Sequence, residues 1–194
     1  MQPLVKKLKT IVKEKMSPLE GTAHSYQHVD RVLKIATFLA KKEGANVELV
    51  QIGTLLHDIG WTLGQPHNET GAKLASEILN EIGYPQEESE KIVGIIVRHP
   101  LDFKDKLETL EEKVVWDADK IDLLGAVGIA RAFHWGGRKS FETVVRYCFE
   151  EGIAIYGMLN TATAKMIARK RHKRTVAFLL ALEEELSVKD LEIG

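Results

Sequence analysis

The chain has 194 residues, 44% of them hydrophobic, and a net charge of −1. That is enough for one globular domain with a sizeable core, and it gives no global field that would draw the chain to nucleic acid or an anionic membrane. The one cysteine, Cys148, excludes an intrachain disulfide framework and a cysteine-based zinc knuckle, and suits a reducing compartment. No stretch approaches about 18 consecutive apolar residues, and the opening MQPLVKKLKTIVKEKM has no uninterrupted apolar run. Neither a membrane span nor a signal peptide is expected, and a cytoplasmic location is.

Helical periodicity runs almost throughout. Leu4, Leu8, Ile11 and Val12 form one face of a first helix, closed by Ser17-Pro18. A second helix is expected over about 25–43, with Val32, Ile35 and Leu39 as its stripe and Gly44 after its end. Asn46 can cap a third that runs to Asp58, with Gly60 as its stop. A fourth is expected over about 69–82 and a fifth over about 86–98, before Pro100. A long sixth spans about 109–134, Gly136-Gly137 breaks the pattern, a seventh covers about 140–151 and the last about 162–187. No alternating β-branched run and no Asn-Gly hairpin turn stands out. The expectation is an all-α single domain over 1–194. Its core lies at about 20–135, and an additional C-terminal helical layer at about 138–187.

Some residues do not fit a pure core. His28 heads the apolar stripe of the second helix, and His24, one turn earlier, can share that face if the helix starts early. His57 and Asp58 lie at the buried end of the third, in TLLHDIGW. In WDADKIDLLGA, a wheel at about 100° per residue gives an apolar face of Val114, Ala118, Ile121, Gly125 and Ile129. Asp122 falls inside that face and Asp119 at its edge. Asp117 falls on the far side with Lys113 and Lys120, where water can hold it. A carboxylate taken out of water costs several kcal/mol unless something positive meets it. Salt bridges to Arg131 or Lys165 could serve Asp122. A divalent cation accounts for all three helices at once, since it neutralises carboxylates and uses neutral imidazoles as ligands. A nitrogen and oxygen donor set without thiolate favours Mn²⁺, Fe²⁺, Co²⁺, Ni²⁺ or Zn²⁺ over Ca²⁺. The HExxH zinc motif, the P-loop and the GxGxxG fingerprint are absent from the sequence.

His28 in HSYQHVDRV, the doublet in LLHDIG and an aspartate in DADKID together resemble the H…HD…D signature of the HD-domain metal-dependent phosphohydrolase superfamily. DADKIDLLGAVGIAR and LNTATAKMIARKRH resemble a branch of small bacterial and archaeal members. The signature covers about 20–135, and the branch resemblance most of the chain. The resemblance implies His28, His57, Asp58 and Asp119 as metal ligands. The choice of Asp119 over Asp122 comes from the family pattern, the wheel having left both open. Asp117 and Asp122 then orient ligands or neighbouring basic groups. His67 and His99 stand where two-metal relatives carry additional histidines.

The implied activity is hydrolysis of a phosphate ester or anhydride, by preference of a nucleotide. Metal-activated water attacks, with His57 and Asp58 as catalytic residues and a divalent ion (Mn, Co, Ni, Fe, Zn or Mg) as cofactor. Arg31, His67, Arg98, His99, Lys120 and Arg131 are the candidates for holding the phosphates, and the basic run 165–174 is read as a solvated helix face. One firmly bound ion is expected, with His67 and His99 toward the substrate or the rim of its pocket. No stable nucleic-acid binding is expected, the oligomeric state is open, and no GYP extension of the cyclic-di-GMP branch is present. Two alternatives remain: a di-iron oxygenase on the same fold, and a non-catalytic regulatory domain that binds metal or nucleotide.

Overall fold

Val5, Leu8 and Val12 share one face of α1 (Pro3–Lys15) and are fully buried, so the helix lies on the rest of the chain by its apolar stripe. The computed structural model describes residues 3–137 and 139–191; among them there are ten α-helices and no strand. α2 (Tyr26–Glu43) stops where the sequence predicts, at Gly44, whose φ of 78° is left-handed. α3 (Val47–Leu56) is capped by Asn46, whose side-chain oxygen accepts from the amides of Glu48 and Leu49.

α3 ends two residues sooner than expected. His57 is its C-cap, and Asp58 has left the helix at φ −101°. Gly60 is not the stop. The chain continues through a 3-10 turn, Ile59–Thr62, and reverses at Gly64, φ 99°. Gly60 serves close approach instead. A Cβ there would meet the carbonyl oxygen of His67 at 1.8 Å and the amide nitrogen of Gly71 at 2.6 Å. The turn that carries the HD doublet therefore rests backbone to backbone on α4 (His67–Glu81). α5 (Gln86–Arg98) follows, and α6 (Leu110–Ile121) opens with a capping box between Thr109 and Glu112.

The expected long helix over 109–134 is two helices. It breaks after Ile121, and α7 (Gly125–Trp135) starts afresh at Gly125, φ 72°. The wheel ran unbroken through LLGAVG because glycine is compatible with helical spacing. Here the two glycines serve the turn: Gly125 supplies the left-handed backbone, and a Cβ on Gly128 would strike the carbonyl of Leu123 at 2.0 Å. The expected seventh helix extends further and is not uniform. α8 (Phe141–Tyr147) passes through a π-type turn, Cys148–Gly152, into α9 (Ile153–Met158). α10 (Ala162–Leu186) closes the fold.

α2 is the central element. Its Val29 and Leu33 join one apolar cluster with α1, α3, α4 and α5, while Val32 and Ala36 join a second with α6, α9 and α10. The expectation for Asp117 and Lys120 is overturned, since both side chains are buried: Lys120 over Trp116 and against Asp119, Asp117 under the residues that lead into α10. The Asp117 carboxylate accepts from the amide and side chain of Asn160 (2.7 and 2.9 Å) and from the amide and hydroxyl of Thr161 (2.7 and 2.8 Å). Thr161 in turn caps α10. Asp117→Ala leaves these donors without their acceptor and is expected to lower stability by about 3 kcal/mol, with bound metal per folded chain unchanged. A thermal melt with an unmoved midpoint contradicts this account.

Candidate metal centre and cavity

Helix ends set the chemistry of the histidines. The last carbonyls of a helix have no partner within it. His57, one residue past α3, donates from Nδ1 to the carbonyl of Thr54 at 2.7 Å. His99, one residue past α5, donates from Nδ1 to the carbonyl of Ile96 at 2.6 Å. A carbonyl can only accept, so both rings hold their proton on Nδ1 and turn an Nε2 lone pair inward. His28, on the first turn of α2, has its Nδ1 at 2.8 Å from Asp122 Oδ2, the carboxylate–histidine pairing that orients a metal ligand.

These lone pairs converge. His28, His57 and Asp119 offer donor atoms within 4.8 Å of one another, and so do Asp58, His67 and His99. Asp58 connects the groups: its Oδ2 lies 3.5 Å from His28 Nε2 and 3.6 Å from His57 Nε2, its Oδ1 3.4 Å from His99 Nε2. Asp119 Oδ1 is 3.2 Å from His28 Nε2. The Nε2 atoms of His28 and His57 are buried with no hydrogen-bond partner. His67 Nε2 and His99 Nε2 face each other at 3.2 Å. With the His99 proton on Nδ1, this contact is either a hydrogen bond from a His67 Nε2–H or two lone pairs that can share a cation. Orphaned imidazole nitrogens beside two buried carboxylates fit a divalent metal site.

Electrostatics agrees. Burial, helped by His99 and His28 and opposed by Asp58 and Asp119, pulls His57 down to about 4, so its ring is neutral and ready to coordinate at ordinary pH. Burial and the neighbouring His99 hold His67 at about 4 as well. Burial also lowers His28, but its bonds to Asp119 and Asp122 outweigh that and leave it raised. Burial pushes Asp58 up, yet His57, His24 and His99 bring it well below the usual carboxylate range, and Lys120 and His28 do the same for Asp119.

The other predicted residues divide. Asp122 is fully buried, bonded to His28, to Arg31 at 3.0 and 2.9 Å and to Arg131 at 3.2 Å. The salt bridge to Arg131 is thus present; the nearest basic group from α10 is Arg171, at 3.9 Å, and not Lys165. Lys120 pairs with Asp119 and lines the cavity, as do Arg131, His67 and His99. Arg98 points elsewhere, its guanidinium paired with Glu112 and Glu108. Asp117 touches no candidate ligand, being held by Asn160 and Thr161. Within the basic run, Lys165, Arg169, Lys170, Lys173 and Arg174 are exposed, and Arg171 instead donates to the carbonyl of Ile121.

Two cavity residues escaped the sequence reading. His24 bonds from Nδ1 to Asp58 Oδ2 at 3.1 Å. It lies just before α2 rather than on it, so the helical stripe gave it only a conditional place. Trp61 closes the stretch TLLHDIGW and stacks between His24 (4.2 Å) and His67 (4.4 Å), fixing both rings. Its only signal was proximity to the doublet. The cavity in front of these groups measures about 270 Å³. Asp58, Asp119, His67 and His99 form one end, Lys120 and Arg131 the adjoining wall, and residues of α7–α9 an apolar far end.

Comparison with known proteins agrees with this geometry. The HD domain family model matches residues 25–124. YpgQ of Bacillus subtilis is 30% identical over 186 residues, 89% of each chain. The structure of YpgQ in complex with ADP has a TM-score of 0.77 to this chain at 27% identity, covering 93% of this chain and 97% of that one. An HD-superfamily hydrolase from Bacillus thuringiensis is 32% identical with a TM-score of 0.75, covering 94% and 96%. The chain belongs to the HD-domain superfamily of metal-dependent phosphohydrolases, as its motifs implied. No helix among the described residues is long and apolar enough to cross a membrane.

The buried neutral His57 makes metal-free protein acid-sensitive. Its folded value lies below the ordinary 6.5, so the unfolded chain takes up a proton that the folded chain refuses. Stability therefore falls as pH drops from 6.5 towards 4, by about 3 kcal/mol for this group. His67, also held at about 4, adds to the slope in the same window, the raised His28 acts above it and the lowered carboxylates below it. Denaturant unfolding of the metal-free protein at pH 6.5 and 4.5 should show the slope, and His57→Asn should reduce it, leaving the share of His67. An equal slope in both proteins contradicts the assignment.

Proposed function

We propose that the protein is a divalent-metal-dependent phosphohydrolase that cleaves a phosphate ester or anhydride of a nucleotide. One observation carries the reading: inward-facing imidazole nitrogens and two buried carboxylates share a cavity wall with Lys120 and Arg131. Donors for a metal thus stand beside cations for a phosphate. The similarity to YpgQ, solved with ADP, supports a nucleotide.

His28, His57, Asp58 and Asp119 would hold one ion, and Asp58 with His67 and His99 a second. A bound divalent ion supplies Lewis-acid stabilisation of phosphoryl oxygens and lowers the pKa of water to near neutrality. The protein does the rest. Asp58 is the acceptor that orients the attacking water, since its two oxygens face both donor groups. Lys120 and Arg131 neutralise phosphate oxygens in a partly desolvated wall, where such charges act strongly. Arg131 is pre-set for this by its bonds to the carbonyl of Ala23 and to Asp122, which keep the guanidinium from reorganising as substrate arrives. Trp61 keeps His24 and His67 in place. The oxygenase reading shares the second donor group, but it makes no use of two cations on the cavity wall.

The sequence reading expected a single firm ion with His67 and His99 toward the rim. The second donor group changes that expectation to two, the second more weakly held because it has fewer ligands of its own. Metal analysis should find up to two equivalents per chain in wild type and one in His99→Ala. Chelation should abolish phosphate or pyrophosphate release from nucleotides, and Mn²⁺, Co²⁺ or Ni²⁺ should restore it. Full activity in protein shown to be metal-free by elemental analysis would sink the hydrolase reading. Oxygen consumption by the iron-loaded form in place of hydrolysis would favour the oxygenase.

A further inference from the structure

The far end of the cavity differs in chemistry from the metal end. Leu123, Ile129, Ala132, Tyr147 and Ile155 line it, together with Cys148 and Gly152 of the π-type turn. Thr175 also lines it, but its hydroxyl is committed, accepting from the amide of Gly125 at 2.7 Å and donating to the carbonyl of Arg171 at 3.2 Å. No amide side chain lines the cavity among the described residues, and its carboxylates belong to the metal end. Such a surface receives a flat apolar body by contact area and stacking, with the Tyr147 hydroxyl as its polar group.

Gly152 stands out within this wall. It is buried, yet a Cβ built on it meets no atom within 4 Å. Its backbone is ordinary right-handed helix, φ −60° and ψ −34°. Neither backbone conformation nor close packing requires glycine there, and within a helical run glycine is less favourable than alanine. Gly60 and Gly128, by contrast, are required by atoms within about 2 Å. What the missing side chain leaves at position 152 is room in the cavity.

We propose that the apolar end of the cavity is the pocket for the nucleobase of the substrate, and that Gly152 sets its depth. The inference rests on the nucleotide reading above. With the phosphates at Lys120, Arg131 and the metal end, the apolar wall is the cavity surface that suits the remaining part of the molecule. The pocket admits bases by size more than by edge hydrogen bonds, so the common bases bind with affinities within about tenfold of one another.

The test compares Mn²⁺-loaded wild type, Gly152→Ala and Gly152→Leu by calorimetric titration with nucleoside triphosphates and with inorganic tripolyphosphate. Tripolyphosphate carries the phosphates without a base. Gly152→Leu should weaken nucleotide binding by tenfold or more, purines most. Tripolyphosphate affinity and bound metal should stay as in wild type, and the melting temperature of both variants should be unchanged or raised. Nucleotide should also slow alkylation of Cys148 in wild type at least fivefold, with no slowing by tripolyphosphate; this arm needs no variant to fold. Unchanged nucleotide affinity in Gly152→Leu, or parallel loss of both ligands with metal retained, overturns the pocket while leaving the hydrolase reading standing. So does Cys148 protection by tripolyphosphate equal to that by nucleotide. Wild type that binds neither ligand overturns both.

Discussion

The carboxylate of Asp58 is the constraint around which this fold is arranged. It is buried, and its charged or polar neighbours within reach are four imidazoles, those of His24, His28, His57 and His99. No lysine or arginine among the described residues pairs with it. A buried carboxylate without a compensating charge is costly, and the histidines compensate it poorly while neutral. Protonating them is no remedy for His57, which burial holds at about 4. A cation held between the rings meets the charge directly, so metal binding and the integrity of the core become one problem. Asp122 shows the contrasting solution. It is just as buried, but Arg31 and Arg131 reach it, and it needs no metal.

Ordinary helix construction produces the ligand set. A helix that ends in the core must find donors for its last carbonyls. α3 and α5 each solve this with a histidine one residue past the end, whose Nδ1 bonds the carbonyl three residues back. The cap selects the tautomer, and the tautomer aims Nε2 at the centre. Ending α3 at Leu56 rather than Asp58 matters for the same reason, because it releases Asp58 into a turn. The close backbone contact of Gly60 with α4 then brings that turn beside His67. A sterically required glycine thus links the first donor group to the second.

Much of this was legible in the sequence, and the misses have physical causes. Apolar periodicity located most of the helices, because burial of one face is what holds each of them, but it merged α6 with α7 and did not reach α9. It could not locate the break at Asp122–Leu124, since glycines sit as quietly on a helical wheel as in a turn. The wheel placed Asp122 in the core, where it lies. It failed for Asp117 and Lys120 because a wheel knows only one helix: Asn160 and Thr161, more than forty residues later, cover Asp117, and Lys120 folds over Trp116 to pair with Asp119. His28, His57, Asp58 and Asp119 were nameable from motif order. His24 and Trp61 were not, because their part in the site is contact across space: one lies outside the helix whose stripe it seemed to share, and the other is an aromatic ring that any core could use.

The division of labour along the chain follows the same geometry. The stretch that matches the family model, 25–124, carries all six residues of the two donor groups. The helices beyond it supply what surrounds the metal end. α7 brings Arg131 to Asp122 and to the cavity wall, and α10 buries α6 through Asp117. The π-type turn between α8 and α9 lines the apolar end. A π-type turn widens the helix locally and re-aims side chains that follow it, here beside a glycine that fills none of the space it faces. The donor groups demand tight geometry because lone pairs and charges must meet within a few tenths of an ångström. The apolar end tolerates change because contact area varies smoothly with side-chain size. If the apolar end holds the base as proposed, substrate choice can be altered at Gly152 without disturbing the charge balance that keeps Asp58 in the core.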